Sequence, residues 1–128
     1  METDINSEKQ LDYICVATFL PLKSWGYMFS FQRLSSKVLK QIKESEGAIN
    51  YAVKGNLLKK HFWAFSIWKD HNSLKRFIME DPHATAIRKF TEWVGEGSAF
   101  VEWTSPNNTI DWPEALKKLE IPTYYYKK

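Results

Sequence analysis

The chain has 128 residues, 18 basic and 15 acidic side chains and a formal charge of +3, which fits one domain and is too mild and too interspersed for a nucleic-acid partner. Its single cysteine excludes a disulfide framework and fits a reducing compartment, so a cytoplasmic location is expected. Six Trp, six Tyr and eight Phe make aromatic surface the main material of the core and of any pocket.

Residues 1–10 are polar and aperiodic and are expected to form a flexible N-terminal arm. They lack the apolar stretch of a signal peptide. No apolar run approaches the roughly 18 residues of a membrane span, so no membrane partner is expected. Tyr13 to Leu20 is rich in β-formers and is stopped by Pro21, giving a first strand in which Cys15 is an inert, buried thiol. Met28, Phe31, Val38, Leu39 and Ile42 then recur at near-helical spacing. Ser35 or Ser36 offers a fresh cap where that helix is expected to break, and Gly47 supplies its left-handed stop.

Ile49 to Lys54 alternates and reads as a second strand. Gly55-Asn56 and Lys59-Lys60 connect it to a third as an antiparallel hairpin. That third strand, His61 to Trp68, places His61, Trp63, Phe65 and Ile67 on one side and Phe62, Ala64, Ser66 and Trp68 on the other. Neither side suits water, so both must be covered.

Asp70 or Asn72 caps the next helix, which carries Leu74, Phe77 and Ile78. Asp81-Pro82 opens another, with His83, Ile87, Phe90 and Val94 as its inner stripe. Ser98 to Trp103 is the fourth strand. Pro106 begins a turn, Trp112 to Leu119 is a short helix, and Ile121 to Lys128 an extended tail.

The order is βαββαβ, an α+β ferredoxin-like unit: a four-stranded antiparallel sheet over residues 11–105 with both helices on one face, followed by a C-terminal helix and tail over residues 106–128. The sheet's other face is expected to meet a second copy, giving a homodimer through the sheet face that closes as a dimeric α/β barrel.

Several residue types suit chemistry. His83 lies on an apolar stripe near a helix start, where burial and the helix dipole both favour a neutral ring able to act as a base or to ligate iron. Trp63, Phe65, Trp68, Phe77 and Ile87 supply surface for a flat, hydrophobic ligand. Ser66 can donate to a carbonyl, and Arg88 can meet an acidic group. His61 and His71 read as solvent-facing, and the histidine spacing forms no zinc pattern. Trp63-Ala-Phe65 also matches part of an RNA-recognition strand, but Phe62 stands where that pattern has glycine and the charge is low.

Phe62-Trp-Ala-Phe-Ser-Ile-Trp-Lys-Asp70, followed by Leu74, Phe77 and Pro82-His-Ala-Thr-Ala-Ile-Arg88, resembles the dimeric α/β-barrel superfamily, in its antibiotic biosynthesis monooxygenase-like and spheroidene monooxygenase-like branches. The resemblance implies a homodimer with a hydrophobic pocket between sheet and helices in each protomer. Cofactor-free members oxidise aromatic substrates with molecular oxygen, so no cofactor is the first expectation. Haem is the alternative that the resemblance also implies. Haem-degrading members combine a strand-one Asn, a Trp ending strand three and a helix His. Trp68 matches that Trp, but Tyr13 to Leu20 has no Asn and His83 comes several residues late; the spheroidene-type pattern fits His83 better. The function expected is a small monooxygenase-like enzyme acting on an aromatic or polyene substrate, with His83 catalytic. The alternative is a non-catalytic dimeric module binding a hydrophobic ligand or haem.

Overall fold

A computed structural model describes residues 12–121 and the backbone of Tyr124–Tyr125. The expected N-terminal arm, residues 1–10, lies outside the described residues. Strand β1 (Tyr13–Pro21) leads through a 3-10 turn (Trp25–Tyr27) into α1 (Met28–Lys43). Then come β2 (Ala48–Asn56), β3 (His61–Trp68), α2 (His71–Met79), α3 (His83–Trp93), β4 (Ala99–Ser105), α4 (Trp112–Leu119) and the two-residue β5 (Tyr124–Tyr125). The sheet order is β2-β3-β1-β4-β5. Every pairing is antiparallel, so the four expected strands take the ferredoxin-like order and β5 adds to the outer edge of β4.

Helix α1 runs unbroken through Ser35 and Ser36, against the expected break. Phe31 and Ile42, eleven residues apart and thus on one side of a single helix, are both buried, and this shared face holds the helix in one piece. The chain then turns at Gly47, whose φ of +90° belongs to the left-handed region. A Cβ there would clash with Ser73 Oγ, so both dihedral and space demand glycine. Asp70, not Asn72, caps α2: its Oδ1 accepts from Ser73 N at 2.8 Å, a bond that holds the carboxyl below its ordinary range. Before α3, Pro82 is the cap residue instead of the first helical one, and Asp81 Oδ1 accepts from Thr85 N at 3.0 Å and from Thr85 Oγ1 at 2.8 Å.

Register decides the two faces. Ala17 pairs with Phe65 and Val101, and Cys15 with Ile67 and Trp103, so these side chains share one face. Val16 pairs with Ser66, and Ile14 with Trp68, on the other. The second face is covered by α1, α2 and α3 in two clusters. Leu20, Leu22, Phe31 and Val94 gather with Phe62 and Phe90 at one end; Ile42, Trp68, Leu74 and Phe77 gather with Val16 and Leu39 at the other.

The first face departs from expectation. Its centre is covered by the chain's own C-terminal helix, and not left wholly for a second copy. Cys15, Ala17, Phe65, Ile67 and Val101 pack with Ala115 of α4, flanked by Trp103, Ile110, Trp112 and Leu119. The amphipathic pattern Trp112, Ala115, Leu119 presents one small residue to the sheet, which lets the helix approach closely. Asp111 fixes its start by accepting from Glu114 N at 3.1 Å. Towards the hairpin end of the same face, Phe19, His61 and Trp63 stay half-buried and contact one another, with ring centroids 5.1 to 6.1 Å apart.

Candidate functional site

Strand alternation sends Trp68 and Ser66 to the helical face. The indole of Trp68 is wholly buried, and its Nε1 donates to Ser66 Oγ at 2.9 Å. Ser66 therefore holds the indole in place while keeping its own hydroxyl hydrogen free to donate. On α2, Phe77 lies against Trp68 with centroids 4.9 Å apart, and the His83 ring lies against Phe77 at 4.6 Å. Trp68, Phe77 and His83 thus form a continuous aromatic line from the end of β3 to the start of α3.

The His83 ring is largely buried, and burial pushes its pKa down against the weaker opposing pull of the Ile78 carbonyl. Nδ1 lies 3.2 Å from that carbonyl oxygen. A carbonyl only accepts, so Nδ1 carries the proton and Nε2 the lone pair. The ring is neutral near pH 7 and its basic nitrogen is defined.

Gln41, which the sequence did not single out, locks this arrangement. Its Oε1 accepts from the His83 backbone N at 2.8 Å, while its Nε2 donates to the carbonyls of Phe77 at 3.1 Å and Glu80 at 3.2 Å. One amide from α1 thereby satisfies the end of α2 and the start of α3 together. A Gln between Lys40 and Ile42 looks like any boundary residue of an amphipathic helix, so no local signal reveals it.

A groove of about 730 Å³ opens beside this line. Its inner wall includes Gln41, Phe77 and Pro82, all adjacent to His83, and its rim carries Lys37, Lys40 and Arg76 as well as Glu44, Glu80 and Asp81. A ligand lying there would be one side chain from the imidazole and would meet charges of both signs.

The other residues singled out in the sequence fall elsewhere. Trp63 and Phe65 point through the opposite face of the sheet, so the backbone of β3 separates them from Ser66 and Trp68. Phe65 is sealed between Trp103 and Trp112, with centroids at 5.5 and 5.8 Å, and cannot serve as a stacking platform for a nucleic-acid base. Lys54 places its ammonium 5.4 Å from the Trp63 ring and 5.1 Å from that of Trp112, tying the start of α4 to the sheet. On α3 the wholly buried residue is Ala86, while Ile87 is half-buried one position further on. Arg88 is exposed and donates to Thr85 Oγ1 at 3.4 Å. His61 is half-buried against Phe19 and Trp63, and burial with Lys59 and Lys60 lowers its pKa. His71 is exposed and pairs with Glu102. Cys15 is buried, and burial with a smaller push from Glu114 raises its thiol to about 11, as suits an inert packing residue. Among the described residues no group of three His, Cys, Asp or Glu side chains could hold a metal ion, and no helix is long and apolar enough to cross a membrane.

The architecture is an α+β ferredoxin-like fold built on an antiparallel sheet. Several solved structures share it. A conserved protein from Methanosarcina mazei superposes with a TM-score of 0.64 at 19% identity, covering 74% of this chain and 94% of that one. SnoaB, a cofactor-independent oxygenase from Streptomyces nogalater, matches in a mutant form with a TM-score of 0.58 at 12% identity, over 78% of this chain and 98% of that one. A Nitrosomonas europaea protein provisionally described as an antibiotic biosynthesis monooxygenase gives 0.62 at 12% identity, over 73% and 89%. No protein-family model and no curated protein sequence matches the chain.

Proposed function

We propose that the chain is a small cofactor-independent monooxygenase-like enzyme that works as a homodimer on an aromatic substrate, with His83 as the general base. The observation that carries this reading is the buried, neutral His83, whose Nδ1 is engaged by Ile78 and whose ring continues the line of Trp68 and Phe77. A solved structure of the same fold is described as a cofactor-independent oxygenase, which supports the reaction class.

Without a cofactor the substrate must supply all the electrons. Oxidation of an activated methylene to a ketone by one molecule of dioxygen, with one molecule of water released, balances if a base first removes a proton from that acidic carbon. His83 lies one side chain behind the groove wall, so that step requires Phe77 to swing aside and bring Nε2 within reach, where a base is worth about 10²–10⁴ in rate. The charged rim of the groove suits an aromatic system bearing phenol or carboxyl groups better than a bare polyene. The half-buried rings of Phe19, His61 and Trp63, beyond the cover of α4, are the part of the sheet face offered to a second copy.

Haem fits these residues poorly. Phe77 lies 4.6 Å from the His83 ring and Trp68 is sealed, so the flat slot a porphyrin needs is already filled by side chains. Oxygen uptake tests the proposal, with a readily enolised polycyclic aromatic ketone as probe. His83→Ala should lose at least about 100-fold in rate while keeping its far-UV circular dichroism. Unchanged turnover would sink the His-centred mechanism. Wild-type protein inactive across a panel of such ketones would favour the non-catalytic ligand-binding module.

A further inference from the structure

The end of the molecule that carries the β2–β3 hairpin has no place in the candidate site. Its tip, Leu57 to Lys60, is firmly built: Lys60 N donates to Leu57 O at 3.1 Å, Lys59 N to Asn56 Oδ1 at 3.2 Å, and Leu22 N to Lys60 O at 2.8 Å. Yet this ordered turn holds Leu58 89% exposed and Leu57 59% exposed. Beside it, at the start of the helical layer, Trp25 is 55% and Phe29 75% exposed. The two protrusions adjoin, because Lys60 Nζ lies 5.2 Å from the centre of the Trp25 ring.

Charge distinguishes this end as well. The tip itself carries Lys59 and Lys60, and the Gly47–Lys69 segment that contains it has no Asp or Glu. The neighbouring carboxylates, Glu92 and Glu96, flank the Trp93–Gly95 stretch that bonds to Pro21 and Lys23, and Leu22 stands between that stretch and Lys60. We infer that this end is an interfacial docking surface for a bilayer rich in anionic lipid, with Leu57, Leu58, Trp25 and Phe29 entering the headgroup–acyl boundary and Lys59 and Lys60 meeting phosphates.

Charge complementarity selects the lipid over a protein partner. Lys60 sits between the apolar groups, so an apolar protein surface closing over them would bury an unpaired ammonium, which is costly. A headgroup layer pairs with that charge while the rings and leucines sit just beneath it, the usual depth for Trp and for snorkelling Lys. Protruding side chains on a convex tip also suit a deformable surface. That no helix among the described residues is long and apolar enough to span bears on crossing the bilayer and not on lying against it.

Co-sedimentation of the full chain with vesicles tests this, using phosphatidylcholine alone and phosphatidylcholine with about 30 mol% phosphatidylserine. The wild type should bind the anionic vesicles at least about tenfold more tightly, with a blue shift in tryptophan emission. Leu57→Ser with Leu58→Ser should weaken that binding at least about tenfold, because these exposed side chains contribute through burial in the lipid. Lys59→Glu with Lys60→Glu should abolish the preference for the anionic vesicles. All four positions are on the hairpin surface, and circular dichroism confirms that the variants are folded. Failure of the wild type to sediment with the anionic vesicles at 0.1 M salt would overturn the inference. So would a leucine variant that binds as the wild type does, or one that alters only the mass in solution, which would make the tip a contact between copies.

Discussion

Because α4 covers the sheet face in its own chain, the lone thiol becomes a reporter of that cover. Cys15 lies beneath Ala115, in a cluster edged by Ile110, Trp112 and Leu119. Lifting α4 exposes these three large side chains, each partly buried; at about half of the 1.5–3 kcal/mol for full burial, local opening costs roughly 2.3–4.5 kcal/mol. Opening is therefore populated at about one part in 50 to one in 2,000. A thiol reagent such as 5,5′-dithiobis(2-nitrobenzoate) should label the native protein slower than the unfolded chain by that factor. The closed state adds little, since its thiol is held neutral with a pKa of about 11. Ala115→Arg places a charge where no exposed surface exists, so it should release α4 and raise the labelling rate by at least about 50-fold. Circular dichroism should show the sheet retained. Native protein that labels within tenfold of the unfolded chain would refute the assignment of α4 as the cover, as would a folded Ala115→Arg variant that labels as slowly as the wild type.

Two other outcomes follow from the helical face. Ser66→Ala leaves the buried Trp68 Nε1 without its acceptor and should cost about 1–3 kcal/mol in urea denaturation, whereas the same change in a Trp68→Phe background should cost well under 1 kcal/mol; equal costs would show that the indole does not depend on Ser66. His83 has its folded pKa below that of the unfolded chain, so between the two values the unfolded chain binds more protons. Stability should be full above about pH 6.5 and fall as the pH drops below it, and His83→Gln should flatten that slope, leaving the contribution of His61; an unchanged slope in the variant would contradict the buried, neutral ring.

Much of this was legible in the residues. The His61–Trp68 strand demanded cover on both faces; the helices cover one, and α4 covers the centre of the other. The βαββαβ order follows from alternation and helical spacing, which are local properties fixed by backbone geometry. Asp70 as a cap and Gly47 as a stop are equally local: one is a side chain bonding three residues away, the other a dihedral only glycine takes easily. Cys15 as a buried thiol followed from its place in an apolar strand.

What lies far apart in sequence had to await the tertiary structure. A pattern of period two says that Trp63 and Trp68 differ in facing, but not which face the helices take; register and the placement of α1, α2 and α3 decided that, and put Trp68, Phe77 and His83 in one line. Gln41 bonds to residues 36 to 42 positions away, a span over which sequence periodicity carries no information. Likewise, Trp112-Pro-Glu-Ala-Leu reads as a capped amphipathic helix whatever it packs on. Only the folded chain shows it seated on Phe65 and Cys15, because burial of an apolar stripe is non-directional and goes to whichever surface the topology brings within reach.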